Sequence, residues 1–239
     1  MFSNTPIIHA AKRTLMGLRR RAYGLRAYIP GLREHHRLEA MVGPLGFWHA
    51  LQRYHLQLLT SNGLKPHHAL LDIGCGPLQG GVAFIKYLEE ENYTGLDIDP
   101  LRIDTARQQV LRHHLTNKKP ELFISSSFGQ RELAERKFDF MWASQILYYF
   151  DDAPMHELLT MVAERLAPDG KFLGDVFALD HYEFKYPENR GKYIRHTDES
   201  LKRIARQHGL KARCLGTIEK FGYPRRLSLR TNLLFEITR

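Results

Sequence analysis

The chain has 239 residues, 43% of them hydrophobic, which is enough for one α/β domain with a full core and a short extension. Its formal charge of +9 is concentrated at the start: residues 1–33 hold seven of the 35 basic side chains and no acid, so 28 basic residues face 26 acidic ones in the remainder, a balance that argues against a nucleic-acid channel across the body. Two distant cysteines, Cys75 and Cys214, exclude a disulfide framework and point to a reducing, cytoplasmic setting, and no apolar run reaches the roughly 18 residues of a membrane-spanning helix.

Ile8, Ala11, Leu15, Leu18, Ala22, Leu25 and Ile29 recur every three or four residues, so 7–29 reads as a helix with one apolar face. Lys12, Arg13, Arg19, Arg20, Arg21 and Arg26 lie mostly off that face. Three roles stay open for it: packing on this domain or a partner, peripheral contact with an anionic membrane, and mitochondrial targeting. Residues 34–44 show no regular pattern, and Gly43-Pro44 breaks the chain. The spacing of Phe47, Leu51, Tyr54, Leu58 and Leu59 predicts a helix over 45–59. Its Trp48, His49, Arg53 and Tyr54 either line the mouth of a site or belong to the core. The expected organisation is a basic extension at 1–33, a helical cap at 34–65 and a core at 66–239.

The core opens on Ala69-Leu70-Leu71, a short buried strand ending in Asp72. Gly74, Gly76, Gly80 and Gly81 follow, and then helical spacing from Val82 to Glu90. A glycine-rich strand-to-helix turn lets a ligand approach the backbone, because glycine has no Cβ and tolerates positive φ. Nucleotide-like ligands bind at such turns, outside the carboxyl ends of parallel strands. Tyr93 to Asp97 reads as the next strand, and its final carboxylate stands about 20 residues after the turn, where a ribose-binding acid is expected. A dinucleotide G-x-G-x-x-G would need glycine at position 79, which is Gln79.

The pairing of Asp72-x-Gly-x-Gly with Asp97 resembles the class I S-adenosylmethionine-dependent methyltransferases. The resemblance covers about residues 66–238 and is most specific over 70–99. It implies an α/β, Rossmann-like, seven-stranded and mostly parallel sheet with helices on both faces and a C-terminal antiparallel hairpin. It also implies S-adenosylmethionine as cofactor. By the same resemblance, Gly74, Cys75 and Gly76 would meet the methionine part with Asp72 near its ammonium group. Asp97 would take the ribose hydroxyls, and Ile98 would lie against adenine. Many members carry an acid after the third strand that contacts the adenine amino group. Here Ser125-Ser126-Ser127 stands there, and Ser127 is the expected substitute.

A helix is expected from Pro100 to Leu115, a strand at 122–124 and a fourth strand over 137–143, with Ala143 at the cofactor–acceptor edge. A helix from Asp152 to Leu166, a turn at Pro168-Asp-Gly170 and a fifth strand over 171–177 follow. Thr197 caps a further helix, and 211–215 and 226–238 read as the last two strands. The segment from His181 to His196 is rich in aromatics and either binds substrate or packs back as a surface loop.

Methyl transfer to a hydroxyl needs a proton acceptor. His181, Tyr148 and Tyr149 are the catalytic candidates, with Tyr182 and His156 behind them. No metal is expected: the fourth strand ends in Ala143-Ser144, and the adjacent pairs His35-His36, His67-His68 and His113-His114 lack i, i+4 ligand spacing. An Asn/Asp-Pro-Pro-Tyr sequence, the mark of amino-group methylation, is absent after the fourth strand, which points to oxygen. The expected function is O-methylation of a small molecule, sugar or glycan. A non-catalytic S-adenosylmethionine-binding regulator and a NAD-dependent oxidoreductase are the rival readings.

Overall fold

The computed structural model describes residues 33–177, 196–227 and 232–239. Two interior strands of the sheet are buried along their whole length: β1 (Leu70–Ile73) and β2 (Tyr93–Asp97). That is the pattern of parallel strands covered on both sides. β3 (Glu121–Ile124) lies outside β2, and β4 (Phe138–Ala143) pairs with the other side of β1. β5 (Leu166–Phe177) follows β4 in parallel. β7 (Asn232–Thr238) runs antiparallel between β5 and the edge strand β6 (Lys211–Thr217). The order is β3-β2-β1-β4-β5-β7-β6, the mostly parallel seven-stranded sheet expected from the sequence. The chain leaves β3 at one edge and returns as β4 beside β1, so the winding reverses between β1 and β4. A crevice opens at such a point, outside the carboxyl ends of the strands.

Alternation along the strands divides the core. Leu71, Ile73, Met141, Ala143, Phe172 and Val176 face one side with Leu158, Leu159 and Val162 of α5 (Asp152–Arg165) and Leu201, Ile204 and Ala205 of α6 (Asp198–Gln207). The other side carries α2 (Trp48–Ser61), whose His55 ring meets Trp142 at 5.7 Å between centroids. It also carries α3 (Gly81–Tyr87), whose Gly81 leaves room for the Tyr93 hydroxyl. α4 (Pro100–Arg112) follows β2. Its carboxyl end is closed by His114 at φ +55° and by the Leu115 N–H on the Val110 carbonyl, 2.9 Å. This is why the helix stops short of the expected Leu115. Thr197 caps α6 as expected, accepting the Ser200 N–H at 3.0 Å.

Three stretches depart from the expectation. Residues 34–44, read as patternless, contain the helix α1 (Arg33–Val42). Beyond it the buried Glu39 carboxylate accepts the N–H groups of Gly46 (2.9 Å) and Trp48 (3.1 Å), so a fold-back contact that no local pattern announces organises the turn and delays α2 to Trp48. Second, β5 starts at Leu166 and not at Lys171: Leu166 pairs with Phe138, and Lys171 then pairs with Phe140. The intervening residues bulge, which gives Pro168 a place where no ladder hydrogen bond is needed. Third, β7 begins at Asn232, later than the expected Arg226, after a 3-10 turn at Ile218–Phe221.

The chain divides into two compact units, Met1–Trp48 and His49–Arg239. The sheet and the site lie in the second. The basic stretch 7–29 lies outside the described residues. Among the described residues, no helix is long and apolar enough to cross a membrane.

Candidate active site

The glycine turn is built by two different uses of glycine. Gly74 (φ +73°) and Gly76 (φ +54°) adopt the left-handed region that side chains disfavour. The N–H groups of Gly74 and Cys75 both donate to the Leu96 carbonyl, 2.7 and 2.9 Å, which pins the turn across the end of β2. Gly80 and Gly81 serve packing. A Cβ at Gly80 would stand 2.8 Å from His55 Nδ1, and one at Gly81 would stand 2.5 Å from the Tyr93 hydroxyl. The Cys75 side chain turns inward onto Gly95, where a Cβ would come within 2.9 Å of its sulfur. Cys75 therefore offers the site its backbone.

Two carboxylates stand on this side. Asp97 is buried; its Oδ2 accepts the Gly76 N–H at 3.0 Å and its Oδ1 accepts the Asp99 N–H at 2.9 Å. A carboxylate oxygen that accepts one N–H keeps a second lone pair. The acid is thus held by the turn and can still receive one hydroxyl on each oxygen. Asp72 is also buried and accepts the Tyr93 hydroxyl proton at 2.7 Å. Burial pushes Asp72 up to about 7; the Tyr93 hydrogen bond pulls it down, and the nearby Asp97 charge pushes it further up. A cationic ligand group beside it would favour its ionised form.

Beyond Asp97 the surface becomes apolar. Ile98 is 67% exposed and Ile124, paired with Asp97 across β2 and β3, is 43% exposed. Exposed branched side chains at two adjacent strand ends suit the face of a planar base. The serine run after β3 folds into a turn organised by Ser125, whose hydroxyl oxygen accepts the N–H groups of Gly129 (2.9 Å) and Ser127 (3.4 Å). Ser125 in turn donates to Glu132 Oε2 at 3.2 Å. A carboxylate therefore does reach the end of β3, supplied by a residue seven positions later. Sequence reading expected Ser127 in place of an acid there. The only hint was that Glu132 lies in the connection before β4.

The other side of the switch point is a polar wall. Ala143 ends β4, fully buried between Ile73 and Gly174. Gln145 then takes φ +59°, a strained setting for a residue with a side chain. The strain is offset by Asp175 on β5. This buried acid accepts the Gln145 N–H (2.8 Å), the Gln145 side-chain amide and the Asn232 amide (2.9 Å), and Ser144 hydrogen-bonds to it as well. Burial pushes Asp175 up to about 6, and these bonds limit the rise. Ser144 has one proton to give. With that proton on Asp175, the 3.3 Å contact between Ser144 Oγ and His55 Nε2 assigns the donor N–H to His55 Nε2. Burial lowers His55 to about 4, so the ring is neutral, with bare Nδ1 toward Gly80. His55, Asp175 and Asn232 escaped sequence reading because they come from three separated elements.

The other expected residues are distributed as follows. Tyr148 is buried and Tyr149 half exposed, in a 3-10 turn after β4, with rings 4.6 Å apart. His156 is joined to His208 at 2.8 Å between α5 and α6. His181 and Tyr182 lie outside the described residues. Among the described residues, no group of three or more potential metal ligands occurs. The donor set fits S-adenosylmethionine: two acids for its cationic and hydroxyl ends, an apolar ledge for its base, and open backbone between them.

A protein-family model described as a methyltransferase domain matches residues 47–215. Among curated proteins, the sterol 24-C-methyltransferase of Aspergillus fumigatus is 26% identical over 145 residues, 60% of this chain and 37% of that one. A ribosomal protein L11 methyltransferase of Shewanella baltica is 30% identical over 116 residues, 48% of this chain and 36% of that one. The chain thus spans little more than a third of the length of the curated relatives it matches. Among solved structures, an S-adenosylmethionine-dependent methyltransferase from Clostridium acetobutylicum superimposes with a TM-score of 0.63 at 12% identity, covering 86% of this chain and 97% of that one. The magnesium protoporphyrin IX methyltransferase of Synechocystis, crystallised with bound cofactor, gives 0.60 at 16% identity over 90% and 93% of the two chains. At these identities the structural likeness is one of fold. The family match takes in well over half of the chain, and with the glycine turn, Asp72 and Asp97 in place the chain belongs to the class I S-adenosylmethionine-dependent methyltransferase family.

Proposed function

We propose that the protein transfers a methyl group from S-adenosylmethionine to an oxygen atom of a small molecule, a sugar or a glycan. The observation that carries the reading is the division of the switch point: the glycine turn with Asp97 on one side, and the polar wall of Ser144, Gln145 and Asp175 on the other. When bound, the cofactor supplies a sulfonium methyl group with a neutral thioether as leaving group. An acceptor hydroxyl would displace the thioether at that methyl carbon, its oxygen lone pair forming the new bond as the carbon–sulfur electrons return to sulfur, and its proton would pass to a base of this chain.

The chain's part is to hold the hydroxyl in line and keep water out, since positioning supplies much of the rate. The neutral His55 and the saturated Asp175 orient Ser144 and Gln145 and take no proton themselves. Tyr148 and Tyr149 follow β4 and border the acceptor. His181, which follows β5 in sequence, is the proposed proton acceptor.

Thermal-shift titration tests the cofactor half: S-adenosylhomocysteine should stabilise the protein and NAD should not. The opposite result sinks the methyltransferase reading in favour of an oxidoreductase. Transfer of labelled methyl to a panel of hydroxyl acceptors tests the rest. Binding without transfer to any acceptor supports a regulator that keeps the fold and pocket.

A further inference from the structure

The connection from β6 to β7 lies at the carboxyl end of the sheet, because β6 runs parallel to β5 and β7 returns antiparallel between them. It is tied to the polar wall at two points. Tyr223 is buried and sets its ring edge-on to Tyr54, 5.2 Å between centroids, on the residue before His55. At the far end Asn232 donates to Asp175. Both tyrosine hydroxyls are pushed upward by burial first and then by the Asp175 charge.

Between these anchors stand Arg225 and Arg226, both exposed, in a turn closed by the Leu227 N–H on the Pro224 carbonyl at 2.8 Å. No acid occurs in the sequence from Lys220 to Phe235. Basic residues of the preceding α6 and β6 are paired: Arg213 with Glu236 at 2.7 Å and Lys202 with Asp198 at 2.8 Å. Arg225 and Arg226 have no acidic partner among the described residues. Two arginines next to each other in one turn concentrate positive charge, and an anion bound by both would offset it. The planar fork of arginine matches carboxylate and phosphate oxygens in pairs.

We infer that Arg225 and Arg226 form a cationic rim to the acceptor pocket and receive an anionic group, a phosphate or a carboxylate, carried by the methyl acceptor. The inference rests on the methyltransferase reading above. The Tyr54–Tyr223 pair and the polar wall border the neutral part of the acceptor beneath that rim.

The test is calorimetric titration of the full chain, saturated with S-adenosylhomocysteine, with inorganic phosphate and separately with acetate at constant ionic strength. Saturable binding of one of them is expected, and which one binds tells phosphate from carboxylate. R225A/R226A should weaken that binding at least tenfold and leave S-adenosylhomocysteine affinity and melting temperature unchanged. R206A/K211A, which removes two exposed charges outside that stretch, in α6 and at the start of β6, should leave the anion affinity as it was. Absence of saturable binding, or equal weakening by both double variants, overturns the anionic acceptor. Loss of S-adenosylhomocysteine binding by the unaltered protein sinks the methyltransferase reading itself, and the two failures are therefore distinct.

Discussion

The two sides of the switch point are built on opposite principles. On the glycine-turn side Asp97 accepts two backbone N–H groups, one on each oxygen, has the Arg102 guanidinium 3.8 Å from Oδ2, and retains lone pairs for a ligand. On the polar-wall side Asp175 accepts the Gln145 N–H, two side-chain amides and a hydroxyl, which uses its full capacity. The first acid is held so that it can bind; the second is spent on holding others. A buried carboxylate at a strand end is therefore not by itself a ligand-binding group, and the count of its donors decides which kind it is.

Breaking the first acid gives the largest expected effect. Asp97→Ala removes charge-assisted bonds worth about 1.5–3 kcal/mol each. S-adenosylhomocysteine should bind at least about a hundredfold more weakly by calorimetry, while an unchanged affinity would overturn the cofactor assignment. Asp175→Ala should do the reverse. It strands the Gln145 and Asn232 amides and should cost about 3 kcal/mol in urea denaturation. Affinity for S-adenosylhomocysteine should stay within about threefold; a larger loss would mean that the two sides are not separate.

A smaller, pH-dependent effect sharpens the contrast from within the cofactor side. Asp72 ionises near 7 in the fold against an ordinary 3.8. The unfolded chain thus loses that proton first, and the ligand-free protein loses stability as pH rises from about 4 to about 7. Asp175 acts in the same sense up to about 6. His55, lowered from 6.5 to about 4, acts oppositely: its contribution is lost as pH falls through that window. Asp72→Asn removes the first of these. Its stability should match the unaltered protein near pH 4 and exceed it at pH 8 by about 2 kcal/mol, at roughly 1.4 kcal/mol per pKa unit discounted for relaxation. Parallel urea melts at the two pH values check this, and a constant difference between them would show that Asp72 is not held neutral by burial.

Legibility in the sequence followed the distance over which each contact is made. Gly74, Gly76 and Asp97 were readable because a strand, a turn and a second strand follow one another within 28 residues, from Leu70 to Asp97, and their geometry is set by backbone rules. The four glycines looked alike in sequence, yet only the first two are conformational; Gly80 and Gly81 make room for His55 and Tyr93. Ser127 was expected in place of an acid after β3, and the sequence did not announce the Glu132 carboxylate that hydrogen-bonds Ser125 there, because the loop folds back on itself. Helix α1 was missed because what organises its end is Glu39 reaching Gly46 and Trp48.

What the sequence by itself determined is therefore the succession of strands and helices along the chain and the glycine turn flanked by Asp72 and Asp97. These depend on hydrophobic periodicity and on the conformations allowed to glycine, both of which are local. Only the tertiary structure decided the polar wall, where Tyr54, His55, Ser144, Gln145, Asp175, Tyr223 and Asn232 meet. Their spacing in the chain carries no period, and the reason they converge is energetic: buried polar groups must find partners, and the partners that satisfy these lie on neighbouring strands and on the helix above them.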